Sequence, residues 1–277
     1  MKSINCKGKI LNLSEPLVMG IINATPDSFY LGHLNLSIEA ILSLAGKMIA
    51  DGAGILDIGG QSTKPGSKPI SAQEEMDRVL PVIETIYKVY PDTIISVDTY
   101  NSQVAKAAVA AGASMVNDIS GGNLDAAMIP TVAALKLPYV CMHMQGTPAT
   151  MQKAPEYADV VKEVLDYFIG KLDECSKAGI KDVIFDPGFG FGKTIEHNLI
   201  LLKNLSIFSI TNCPILAGLS RKSTIYKTLG ITVTEALNGT TVLNTMALLN
   251  GASILRVHDV KEAKEAITLF TAYKKAP

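Results

Sequence analysis

Short apolar runs rich in β-branched residues alternate with amphipathic helical patterns along the whole chain. Strands are predicted at 17–22, 55–58, 94–97, 115–117, 139–142, 183–185, 215–217 and 254–257. Between them, apolar positions recur three and four residues apart: Ile38, Ile41, Leu42, Ala45, Met48 and Ile49 in the first helix, and Met76, Val79, Leu80, Ile83, Ile86, Tyr87 and Tyr90 in the second. Ser71 and Glu74 have the spacing of a capping box ahead of that second helix. Further helices are expected at 101–111, closed by Gly112, at 125–136, around Val161, Val164, Leu165, Phe168 and Leu172 before Gly179, and at 195–206, 234–250 and 260–274. Eight strand-then-helix units in roughly 250 residues predict an α/β fold of the (β/α)8 TIM barrel type, which leaves no strand edge to protect. Residues 1–16 read as a short cap under the barrel. A doubly wound flavodoxin-like or Rossmann sheet is the fallback, and no Gly-x-Gly-x-x-Gly follows the first strand to support it.

With 277 residues, 48% of them hydrophobic and 18% charged, the chain can bury a large core, and no low-complexity tract or linker divides it. A single domain over 1–277 is the expectation. The 25 basic and 26 acidic residues leave a net charge of -1, which argues against a nucleic-acid surface or a membrane patch. Any phosphate chemistry must then be local. Cys6, Cys141, Cys175 and Cys213 lie far apart without a Cys-x-x-Cys, and no apolar run is long enough to cross a bilayer. The chain is therefore expected to be cytoplasmic, with free thiols and neither a disulfide framework nor a zinc site.

Barrel enzymes carry their chemistry where strands end and loops begin, so the polar residues at those tips are the candidates. Asn23 follows the first strand, Gly59 to Lys64 the second, and Asp98 and Thr99 the third. Asn117 and Asp118 close the fourth, His143 the fifth and Asp186 the sixth. Ser220, Arg221, Lys222 and Ser223 follow the seventh, and Arg256 and His258 finish the eighth. Singly, each has a structural alternative: Asp98 as a helix cap, Asn117 as a turn residue, His143 as a satisfied histidine under a loop. Gathered at one mouth, several carboxylates, an asparagine and a lysine would be costly to desolvate without a ligand or mutual pairing. An Asp186 to Lys222 ion pair is the structural competitor.

Two stretches are more specific. In 182–193, a strand runs into Asp186, Pro187 stops it, and Gly188, Gly190 and Gly192 alternate with Phe189 and Phe191. An acid at a strand tip beneath two aromatic faces suits a flat ring with polar edges. Arg256 and His258, two apart on a strand, face the same way and offer a bidentate fork and a further donor for phosphate oxygens. The alternative is a surface pair of Arg256 with Asp259.

The ordered motifs Met19-Gly-Ile-Ile-Asn-Ala-Thr-Pro-Asp-Ser-Phe29, Asp57-Ile-Gly-Gly-Gln-Ser-Thr-Lys-Pro-Gly66, Val97-Asp-Thr99, Asn117-Asp-Ile-Ser-Gly-Gly122, Met142-His-Met144, Asp186-Pro-Gly-Phe-Gly-Phe191, Ser220-Arg-Lys-Ser223 and Arg256-Val-His-Asp259 resemble the dihydropteroate synthase family over nearly the whole chain. The resemblance implies a transferase of folate biosynthesis that condenses 6-hydroxymethyl-7,8-dihydropterin pyrophosphate with 4-aminobenzoate, releasing pyrophosphate. It implies a pterin site of Asp98, Asn117, Met142, Asp186 and Lys222. Arg256, His258 and a Mg2+ held partly by Asn23 would stabilise the leaving pyrophosphate. Thr63, Lys64, Pro65, Phe191 and Ser223 would surround the aminobenzoate, where sulfonamides should compete. It also implies a homodimer, for which Leu243, Met246, Leu248, Leu249, Ile267, Leu269 and Phe270 offer apolar surface.

The chain departs from the family pattern at Leu31, where an acid is usual, at Gln61, where Glu is common, and at Lys64, where Arg is common. Two other readings stay open at this point: a pterin-binding methyltransferase domain, and a pterin-binding paralogue without condensation activity.

Overall fold

The computed structural model describes residues 3–24, 38–62, 66–151 and 155–277; Leu31, Thr63, Lys64 and Pro65 lie outside them. The chain opens with a hairpin of β1 (Ser3–Cys6) and β2 (Lys9–Asn12). Its two-residue turn places Lys7 and Gly8 at φ 53° and 91°, the left-handed pair that matches strand twist. Eight parallel strands follow: β3 (Leu17–Asn23), β4 (Ala53–Gly59), β5 (Ile94–Asp98), β6 (Met115–Asp118), β7 (Tyr139–Met142), β8 (Val183–Asp186), β9 (Leu216–Ala217) and β10 (Ile254–Val257). They pair in the order β8-β7-β6-β5-β4-β3-β10-β9. A parallel bridge from Phe185 to Ile215 joins the two ends, so the sheet closes into the expected barrel.

The strands read as continuous apolar runs because both of their faces are covered. Outward residues such as Leu56, Ile58, Val97, Val116 and Phe185 pack beneath the helices. Inward, one residue from each strand (Met19, Ile55, Ile94, Met115, Val140, Ile184, Leu216, Ile254) forms a second cluster, and Ile4, Cys6 and Leu11 of the hairpin plug it from below. Residues 1–16 thus contribute a barrel floor through their described part.

The outer layer is α1 (Ile38–Ala50), α2 (Ala72–Val89), α3 (Ser102–Ala111), α4 (Met128–Leu135), α5 (Val160–Ala178), α6 (Ile195–Lys203), α7 (Ser223–Leu229), α8 (Leu237–Leu249) and α9 (Val260–Lys275). Three expectations change. The helix expected at 195–206 stops at Lys203 and continues as a 3-10 turn over Leu205–Thr211. The short α7 was missed, because Ser223–Leu229 has just under two turns over which to display a period. The capping box before α2 is half made: Ser71 Oγ accepts from Glu74 N at 3.1 Å, while the Glu74 carboxylate turns to Arg78 at 2.6 Å. A complete box instead starts α6, between Thr194 and His197. Among the described residues, no helix is long and apolar enough to cross a membrane.

Candidate active site

Side chains alternate along a strand, so two steps beyond the apolar floor the same inward direction is occupied again. Asp57 stands above Ile55, Asn117 above Met115, Met142 above Val140, Asp186 above Ile184, Gly218 above Leu216 and Arg256 above Ile254. The barrel interior therefore turns from apolar to charged within one pleat. Asp98, at the end of β5, joins this layer, and Asp98, Asn117, Ile119, Met142, Asp186, Phe191, Gly218, Lys222 and Arg256 line one small cavity.

The deepest acid is Asp57, wholly buried. Its Oδ2 accepts from Arg256 Nε at 2.6 Å and from Asn117 Nδ2 at 2.9 Å. Arg256 Nη2 donates in turn to Asp98 Oδ2 at 2.6 Å. A buried carboxylate requires donors, which fixes the Asn117 amide with its nitrogen toward Asp57 and leaves its oxygen as the acceptor for a ligand. The network also revises the picture of Arg256 as an open anion fork. Two of its donors are committed to carboxylates, and the Arg256–Asp259 pair does not form; Arg221 takes Asp259 instead, at 2.9 Å. His258 is exposed at the mouth, with Nδ1 3.0 Å from Ser220 Oγ, which itself accepts from His258 N at 3.2 Å. With the Ser220 hydroxyl donating to Nδ1, Nε2 would carry the ring proton. Although the residue reaches solvent, protein crowds its ring, and that desolvation, then the positive charge of Arg256, lowers the imidazole pKa.

Across the cavity, Asp186 Oδ1 accepts from Gly188 N at 2.7 Å, and Lys222 Nζ donates to Phe189 O and lies 4.9 Å from the Phe191 ring centre. The two side chains flank Gly218, where a Cβ would stand 3.5 Å from Lys222 Nζ and 3.7 Å from Asp186 Oδ2. Each is held by backbone rather than by the other, so the expected structural ion pair is not what fixes them. Burial raises the Asp186 pKa against the opposing pull of Lys222, and lowers Lys222 to about 8, with Arg256 adding to the shift and Asp186 resisting it. Burial likewise raises Asp98 against the pull of Arg256.

The remaining candidates separate. Asn23 ends β3 beside Gly59 and is exposed at the mouth. Ser223 begins α7, directly after Lys222. Asp118 belongs to the frame: it is buried and accepts from Tyr139 Oη, Ser120 N and Gly122 N, each at 2.7 Å. His143 is the satisfied histidine of its structural alternative, with Nδ1 2.9 Å from Lys193 Nζ. Gln61 donates from Nε2 to Tyr100 Oη. Sequence reading assigned no role to Asp57, Ile119 or Gly218. The available signal was alternation, which puts Ile55, Asp57 and Gly59 on one face and an acid in the middle of an apolar strand. A broader hollow on the helical surface, lined by Asp159, Lys162, Leu165, Ile200 and Ile207, lies on the outer helices rather than at the strand tips.

The profile of the family described as pterin binding enzyme matches residues 19–258. The dihydropteroate synthase of Escherichia coli (strain K12) is 44% identical over 272 residues, covering 96% of this chain and 94% of that protein. The Yersinia pestis dihydropteroate synthase, solved with a sulfonamide drug complex, is similar with a TM-score of 0.94 at 39% identity, covering 99% of this chain and 100% of that one. The Xanthomonas albilineans dihydropteroate synthase with 4-aminobenzoic acid gives 0.92 at 39% identity, over 100% and 99%. Fold, site and matches together define the class as a pterin-binding barrel enzyme. Within that class, the chain belongs to the dihydropteroate synthase family, transferases that make dihydropteroate.

Proposed function

We propose that this chain condenses 6-hydroxymethyl-7,8-dihydropterin pyrophosphate with 4-aminobenzoate to give 7,8-dihydropteroate and pyrophosphate. The observation that carries the reading is the set of charged and polar groups on one cavity, Asp98, Asn117, Asp186, Lys222 and Arg256, with Asp57 behind it holding Arg256 and Asn117. A pterin edge offers an amino group and a ring N–H to Asp186. Asn117 Oδ1, its amide nitrogen already engaged, accepts a further N–H, and Lys222 donates toward the 4-oxo group. Met142 packs beside the ring. A site in which this many polar groups must be paired rejects ring analogues that leave one unpaired.

The C–O bond to pyrophosphate breaks first, and the cation left behind is delocalised into the electron-rich dihydropterin. The acids beneath the ring favour that cation. The remaining Arg256 donor edge and His258 Nε2–H favour the departing anion. Mg2+ fits as a group bound chiefly through the substrate. Among the described residues no cluster of three or more His, Cys, Asp or Glu stands ready to hold a metal, and Mg2+ commonly keeps one or two protein donors beside water and substrate phosphate oxygens. Asn23 Oδ1 would be such a donor, and the ion's chemistry is neutralisation of charge on the leaving group. The arylamine of aminobenzoate attacks as the neutral base, so positioning governs that step. Phe191 gives its ring a face to pack on, Ser223 offers hydroxyl and amide donors to its carboxylate, and Thr63, Lys64 and Pro65 complete the subsite. Sulfonamides compete there.

The same reading takes residues 1–277 as one catalytic domain working in the cytoplasm, supported by four unpaired cysteines. It includes a homodimer through α8 and α9, whose Met246, Leu249 and Leu269 are exposed, while Leu248 and Ile267 are buried in the core. The test is pyrophosphate release with Mg2+, with and without 4-aminobenzoate, alongside an Asp186→Asn control. Dihydropteroate formed only with both substrates and lost in the control is the expected result. Pterin binding without condensation product would instead favour the paralogue or methyl-transfer reading.

A further inference from the structure

Lys193 ends the glycine-rich stretch after β8 and lines no part of the cavity described above. Its ammonium is buried and makes four contacts: His143 Nδ1 at 2.9 Å, Phe191 O at 3.0 Å, Gly188 O at 3.1 Å and His143 O at 3.3 Å. None of these hydrogen-bond partners is a carboxylate, so the desolvated charge is held by neutral groups, and Asp186 compensates it only through space. That arrangement costs stability and calls for a reason.

The gripped residues are the ones that orient Asp186. Gly188 N donates to Asp186 Oδ1 at 2.7 Å, and His143 N donates to Asp186 O at 2.9 Å. Gly188 has φ +68°, and a Cβ there would lie 1.9 Å from His143 O, so the loops after β7 and β8 meet backbone against backbone. Two carbonyls converge at that contact, and the Lys193 ammonium is the donor between them. It removes their mutual repulsion and ties both loops to one point. Phe191, on the cavity wall, is tied to the same point through its carbonyl.

We propose that Lys193 is a positioning residue for pterin recognition: it locks the loops after β7 and β8 so that Asp186 holds one oxygen on Gly188 and presents the other to the substrate. The protonation states agree with this geometry. Burial and the Lys193 charge lower His143 to about 3, so its Nδ1 is an acceptor. Burial lowers Lys193 to about 7 while Asp186 pulls it back up. The inference rests on Asp186 being the pterin acceptor, which the Asp186→Asn control tests independently.

The experiment measures affinity for dihydropterin pyrophosphate and steady-state kinetics in Lys193→Met and Lys193→Gln, with folding checked by circular dichroism. Methionine keeps the length and removes the donors; glutamine restores two neutral donors. Lys193→Met is expected to weaken pterin binding by about tenfold with kcat within about threefold, the pattern of a lost uniform binding contribution. Lys193→Gln should recover at least half of that loss on a logarithmic scale. Wild-type affinity in a folded Lys193→Met protein, or a fall in kcat with affinity unchanged, overturns the proposal. Should Lys193→Met not fold, Lys193→Gln decides: about threefold weaker binding with kcat level supports it, and unchanged affinity overturns it. If Asp186→Asn itself binds pterin normally, the underlying reading of Asp186 fails; if only the Lys193 variants do, the failure is confined to this inference.

Discussion

Asp57 touches Arg256 and Asn117 through one oxygen and leaves Oδ1 buried without a partner among the described residues, which makes its substitution informative. Asp57→Ala removes an acceptor from both donors at once. Breaking a buried ion pair by deleting one partner costs roughly 3–5 kcal/mol. Arg256 keeps Asp98 at 2.6 Å and is one-fifth exposed (20%), so the lower part of that range applies, and the unpaired Asn117 amide adds to it. A loss of about 3 kcal/mol is expected, roughly a 6–12 °C fall in Tm for a domain of this size. Asn117 is then free to rotate, and pterin affinity should fall by about 5- to 30-fold, the equivalent of ~1–2 kcal/mol. Asp57→Asn behaves differently. Its amide oxygen can occupy the Oδ2 position and accept from both donors, with the NH2 in the place of the orphaned oxygen. The charge is lost but the directional bonds survive, so about 1 kcal/mol of stability and less than threefold in affinity should be lost. Thermal melts and titration with dihydropterin pyrophosphate measure both quantities. Alanine binding within twofold of wild type would refute the orienting role of Asp57; asparagine as weak as alanine would show that the charge, rather than the acceptor geometry, matters.

Because Lys222 is lowered to about 8 by burial and Arg256, its charge is lost as pH rises through that value, and pterin affinity should fall above pH 8; Lys222→Met should bind weakly at all pH values and lack this alkaline limb. The sign for stability is opposite: with the folded pKa below that of the unfolded chain, burying the charged lysine costs stability below pH 8, and the cost is relieved as pH rises toward 10.5. Gly188→Ala meets both a left-handed backbone and a carbonyl 1.9 Å from the new Cβ, so a loss of at least about 2 kcal/mol in denaturant melts is expected, with turnover falling alongside; near wild-type stability would mean that the loop relaxes freely. Removing Mg2+ with a chelator should abolish pyrophosphate release while leaving the affinity for a pterin without its pyrophosphate within twofold, since the proposed function assigns the ring to Asp186, Asn117 and Lys222; equal loss of both would assign the ion to the ring site.

The alternation of apolar strands with 3.6-period helices specified a parallel sheet covered on both faces, and the count of eight strand-then-helix units favoured a barrel over the doubly wound alternative that closure then excluded. The alternation also sent Asn117, Asp186, Lys222 and Arg256 to one mouth, since residues at strand tips of a closed barrel share an end. The short α7 stayed hidden for want of length. His143 illustrates the limit of tip position as evidence: it sits at a strand end as the site residues do, yet its ring is spent on Lys193. Arg256 illustrates another limit, for its approach to Asp57 spans 199 residues of sequence, and no local pattern encodes which carboxylate a guanidinium will meet.

What the sequence determined by itself was periodicity, and with it the elements, their inward and outward faces, and the end of the barrel where polar groups collect. What only the tertiary structure decided was pairing: Arg256 with two acids, Asn117 turned by Asp57, and Asp186 held by Gly188. Periodicity follows from backbone geometry within a few residues, whereas pairing depends on which side chains barrel closure brings within hydrogen-bond distance.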